Sequence, residues 1–123
     1  MPEQRRPTDA ELALLQVLWE GGPATVRQIH EALGGQGAYT TVLKTLQIMA
    51  EKGLVLRDTS QRSHVYAPVH SQQRTQGGLL RDLASKAFGG STGRLVLRAL
   101  SEEPTDPAEL AAIRALLDRL EQP

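Results

Sequence analysis

The chain has 123 residues, room for one compact domain or two small ones, and its 14 Lys and Arg exactly offset its 14 Asp and Glu, so no bulk basicity marks it as a nucleic-acid binder. It has no Cys, which excludes a disulfide framework, a thiolate metal site and a cysteine nucleophile, and an aromatic content of 3% leaves little for stacking single-stranded bases. No apolar run reaches the roughly 18 residues of a transmembrane helix, and the polar stretch Met1 to Pro7 lacks a signal-peptide core, so a cytoplasmic protein is expected.

Thr8-Asp9-Ala10-Glu11 is a capping box, in which the hydroxyl accepts from the backbone three residues on and the carboxylate reaches back. Leu12, Leu15, Leu18 and Trp19 follow at helical spacing, with Leu14 and Val17 widening the stripe, until Gly21-Gly22-Pro23 stops the helix. Trp19 is expected in the core. Thr25-Val26-Arg27-Gln28 is a second capping box opening a short helix with Val26, Ile29, Ala32 and Leu33 on its apolar face. The loop Gly34 to Ala38 leads to a third helix beginning near Thr40. Its buried stripe reads Val42, Leu46, Met49 and Ala50, and Lys52-Gly53 ends it. The period then changes to two. Leu54 to Arg57 and Ser63 to Tyr66 read as strands around the polar turn Asp58 to Arg62, and Pro68 closes the hairpin.

Ser71 to Phe88 predicts a fourth helix despite Gly77-Gly78, each costing about 1 kcal/mol against Ala. Ser91 caps a fifth helix, which Glu102-Glu103-Pro104 breaks, and Asp106-Pro107 starts a sixth. Leu79, Leu83, Leu95, Leu97, Leu100, Leu110, Ile113, Leu117 and Leu120 form an apolar set too large for so small a tail to bury alone. Part of it is expected to be intermolecular. The chain therefore reads as mainly α with a small β-hairpin: a winged helix-turn-helix over residues 1–70 and a helical dimerisation module over 71–123.

Three short helices followed by a hairpin is the order of a winged helix, whose third helix presents its outer face to the major groove. With Val42, Leu46 and Met49 inward, Thr40, Thr41, Lys44, Thr45, Ile48 and Lys52 are left outside. Threonine can meet phosphates, base edges and the thymine methyl, and lysine can neutralise phosphate charge. Tyr39, at the entry to this helix, either packs under it or reaches a phosphate. Arg57, Arg62 and His64 of the hairpin are candidate backbone contacts. Between Thr40 and Tyr66, Lys44, Lys52, Arg57 and Arg62 outnumber Glu51 and Asp58, so the local charge is basic.

The segment Ala38-Tyr39-Thr40-Thr41-Val42-Leu43-Lys44-Thr45-Leu46, continuing to Glu51-Lys52-Gly53-Leu54-Val55, resembles the penicillinase repressor family, which includes the methicillin-resistance and copper-homeostasis repressors. Leu18-Trp19-Glu20, Ser63 to Pro68 and Phe88-Gly89-Gly90-Ser91 fit the same pattern. The resemblance implies a homodimer on a palindromic operator in double-stranded DNA, held together by interlocking C-terminal helices. In the beta-lactam branch it also implies a membrane sensor metalloprotease as partner and release of DNA by cleavage in the C-terminal module. The chain departs from the family pattern in three respects. The cysteine cluster of the copper branch is missing, which excludes copper sensing of that kind. The family's Asn-Phe cleavage site matches Arg98-Ala99 here, and Ile48 stands where family members often carry Arg.

His30, His64 and His70 are too scattered to suggest a metal site, and Ser91-Thr92-Gly93 reads as a helix cap rather than a phosphate loop. No catalytic constellation appears, and neither a cofactor nor a small-molecule ligand is expected. The competing expectation is a winged helix used as a protein-interaction module without DNA binding, for which the zero net charge is the best support.

Overall fold

The computed structural model describes residues 6–35 and 37–123. Met1 to Arg5, most of the polar opening stretch, and Gln36 of the Gly34–Ala38 loop lie outside the described residues. Among the described residues the order is α1 (Asp9–Gly21), β1 (Ala24–Thr25), α2 (Val26–Ala32), α3 (Tyr39–Lys52), β2 (Val55–Asp58), β3 (Val65–Pro68), α4 (Gln72–Ala87), α5 (Thr92–Glu102) and α6 (Pro107–Glu121). None of these helices is long and apolar enough to cross a membrane.

Local chemistry sets the helix ends. Both capping boxes form: Thr8 and Thr25 accept from the N–H of Glu11 and Gln28, whose side chains accept from the N–H of Thr8 and Thr25. Gly53 ends α3 in the left-handed conformation at φ 80°, where a side chain would be strained. Ser91 caps α5 by accepting from the Arg94 N–H. Asp106 precedes Pro107 at the start of α6 but makes no side-chain cap, so the fixed φ of proline is the local signal there.

The sheet has three strands rather than two. β3 is central, flanked by β2 in the register Val55↔Pro68 and Asp58↔Val65, and by β1 through Ala24↔Tyr66 and Thr25↔Val65. The two hairpin strands lie one and two residues later than the alternation suggested. Asp58 belongs to β2, and its carboxylate accepts from the Ser60 N–H at 2.9 Å, which tightens the loop that follows. Pro68 is the last residue of β3 rather than the stop after it. No β1 partner reaches that point, so its missing N–H leaves no bond unmade.

The core joins Leu14, Leu15 and Leu18 of α1, Val26 and Ile29 of α2, Val42, Leu46 and Met49 of α3, and Leu54, Val55 and Tyr66 of the hairpin. Trp19 packs on its edge and donates from Nε1 to the His70 carbonyl, tying the end of α1 to the chain after β3. This is a winged helix-turn-helix with a minimal third strand.

The chain divides into two compact units between Leu79 and Leu80, within α4. The second unit differs in kind from the first. Ala84 is its one buried residue among those described, and α5 and α6 have none.

Candidate nucleic-acid interface

Burying Val42, Leu46 and Met49 rotates the opposite side of α3 to solvent, and Thr40, Thr41, Lys44, Gln47, Ile48 and Glu51 are exposed there. Ile48 keeps 40% of its surface open. Thr45 sits at the edge of this face, half-buried, with its hydroxyl donated to the Thr41 carbonyl at 2.8 Å. Gln47 was passed over in the sequence, although its spacing from Thr40 and Lys44 signals this face, and its amide suits the donor–acceptor edge of adenine.

Lys52 departs from its expected role. Its Nζ lies 2.9 and 3.0 Å from the two carboxylate oxygens of Glu11, and the ion pair draws it toward the protein. Glu11 is the buried charged residue among those described, at 3% exposure. Burial favours its neutral form, but the hydrogen bond from the Thr8 N–H and the neighbouring Lys52 ammonium outweigh this and hold the carboxyl below the ordinary glutamate range. A cation committed to a buried carboxylate is not available to a phosphate. Lys44 is exposed and unpaired among the described residues, and it remains the lysine of the outer face.

Tyr39 is 46% exposed, so it does not pack under α3. Its ring meets the ring of His30 edge-on, with centroids 5.9 Å apart, while His30 Nε2 lies 3.0 Å from the Gly37 carbonyl. His30 thus braces the loop that leads into α3. Arg57 is exposed opposite Tyr66, on the side of the sheet that carries the core, while Leu56, 65% exposed, lies on the other side. Arg62 and His64 are exposed in the loop and line a groove of about 410 Å³ together with Tyr39, Leu43 and Arg27. Arg27 was not singled out in the sequence, because only folding brings it near Arg62. The outer face of α3, the groove and the hairpin all belong to the first unit.

Of the residues expected to dimerise, Leu83, Leu97, Leu100, Leu117 and Leu120 are exposed, whereas Leu79, Leu95, Leu110 and Ile113 are half-buried. Leu80, Val96 and Leu116, outside that set, are also exposed. Arg98 and Ala99 lie exposed within α5, where Arg98 pairs with Glu102 at 3.2 Å.

Comparison with known proteins agrees with the architecture. A solved MarR family protein from Bacillus stearothermophilus superimposes with a TM-score of 0.51, covering 94% of this chain and 73% of that one at 19% identity, a likeness of fold. The transcriptional regulator BlaI of Mycobacterium tuberculosis, in the CDC 1551 / Oshkosh and H37Rv strains, is 39% identical over 125 residues, covering 98% of this chain and 89% of the relative. The penicillinase repressor pattern matches residues 7–119. The chain belongs to the penicillinase repressor family of winged-helix transcriptional regulators.

Proposed function

We propose that the chain is a cytoplasmic repressor that binds a palindromic operator as a homodimer, without a cofactor, and represses by occupying the promoter. The observation that carries this reading is the outer face of α3. Thr40, Thr41, Lys44, Gln47 and Ile48 are exposed and face away from the core. Residues 1–70 serve as the DNA-binding part and 71–123 as the dimerisation part. Thr40, Thr41, Lys44, Thr45 and Ile48 approach the major groove, and Tyr39, Arg57, Arg62 and His64 follow the backbone. A two-fold dimer then presents two recognition helices about 34 Å apart, or a multiple of that.

The exposed leucines of α4, α5 and α6 support the dimer, since a stable monomer would have little reason to leave so many open. Derepression follows cleavage in the C-terminal module, with a membrane sensor metalloprotease as partner and Arg98-Ala99 as the candidate region. A helical peptide bond does not fit a protease cleft, and α5, which buries no residue, has little to stop it from unravelling.

Footprinting on the DNA upstream of the protein's own gene tests the reading. The expected result is protection of two symmetric half-sites, weakening as salt rises. A chain that leaves every duplex unprotected at low ionic strength overturns it.

A further inference from the structure

The groove beside the start of α3 is built from three stretches distant in sequence: Thr25 to Arg27, Tyr39 with Leu43, and Arg62 to Tyr66. Its described lining includes two arginines and a histidine but no carboxylate. Arg27 and Arg62 are exposed and have no ion-pair partner among the described residues, and the Tyr39 hydroxyl has no hydrogen bond among them. Neither arginine is held by a carboxylate in the way that Glu11 holds Lys52, Asp82 holds Lys86 and Glu102 holds Arg98. Two guanidinium groups gathered at one concave site repel each other, and an anion between them removes the cost. Their planar forks suit the tetrahedral oxygens of phosphate, and a phenol supplies a further neutral donor.

We propose that this groove is a phosphate site that holds one phosphodiester of the duplex backbone, with Arg27 and Arg62 as its cationic walls and Tyr39 as the donor at its α3 edge. The proposal rests on the operator-binding reading and adds Arg27 to it. Tyr39 opens α3, so the phosphodiester in the groove flanks the bases that the outer face of α3 meets. The contact is to backbone, so it sets the register of α3 on the duplex and carries no base preference of its own.

The test uses the full chain and fluorescence anisotropy, over a series of salt concentrations, on a footprinted operator and on an unrelated duplex. Arg27→Gln and Arg62→Gln are compared with Arg74→Gln, an exposed arginine that does not line the groove. Each groove variant is expected to weaken both duplexes about tenfold, the loss of one charge-assisted hydrogen bond. Each also flattens the salt slope by about 0.9 for every protomer bound. Arg74→Gln changes neither, and thermal melts of all three variants match the parent. Unchanged slopes in both groove variants, with the parent still binding duplex, overturn the phosphodiester site and leave the operator reading standing. If the parent binds no duplex, the operator reading falls and the phosphodiester assignment falls with it. Inorganic phosphate, titrated into the same protein and followed by NMR, then identifies a site for a free anion if the shifts saturate and vanish in Arg27→Gln.

Discussion

Lys52 and Lys44 show how one residue type takes two roles on one helix. Lys44 stands on the exposed side of α3, while Lys52, two turns on, answers a carboxylate buried on α1. Lys52→Met is expected to destabilise the protein by about 2 kcal/mol, less than for a fully buried pair because the lysine side chain keeps 20% of its exposure. The salt dependence of DNA binding should stay as in the parent. Lys44→Ala should do the reverse, leaving thermal unfolding unchanged and flattening the salt slope by about one unit per bound protomer. Chemical denaturation and salt-series binding on both variants separate the two roles. Glu11 carries a pH dependence of the opposite side of neutrality from a histidine. Its folded carboxyl titrates below the ordinary value of 4.5, so its contribution is complete above that value and is lost as pH falls through the lower folded one. Glu11→Gln should therefore be less stable than the parent at neutral pH, with the difference shrinking on acidification. Denaturant midpoints measured from pH 7 down to pH 3 check this.

At the scale of elements, helices were easier to read than strands. The caps Thr8, Thr25 and Ser91 and the stop at Gly53 are spelled out within four residues of the ends they make, and the structure forms each of them. The hairpin strands shifted because alternation sets which residues share a face but not where pairing begins; the Asp58 turn settles that. β1 was not legible at all, since two residues carry no period and exist as a strand only beside Tyr66 and Val65. The fourth helix survives its internal glycines, and they are its weakest local feature. A Cβ placed on Gly78 meets no atom within 4 Å, so Gly78→Ala is expected to stabilise the chain by about 1 kcal/mol, read as a raised denaturant midpoint at unchanged slope.

For the whole molecule, the two units use apolar residues differently. The first closes a core of eleven buried side chains among the described residues, whereas the helices that complete the second leave Leu97 and Leu120 open at 68% and 71%. Under the proposed dimer those leucines are interfacial. Leu97→Asp should then convert a species of twice the chain mass to the single-chain mass in sedimentation equilibrium and weaken operator binding with it. A parent chain that sediments as a monomer at micromolar concentration would exclude this arrangement.

Helix order, caps, the inward stripe of α3 and hence its outward face depend on residues three or four apart, so they are written in consecutive sequence. The Glu11–Lys52 pair, the Ala24–Tyr66 bridge and the gathering of Arg27 with Arg62 join residues more than thirty positions apart. No local pattern encodes such meetings. They arise when α1, α3 and the hairpin close on one apolar core, and the closure turns one lysine inward and leaves two arginines at the rim of a groove.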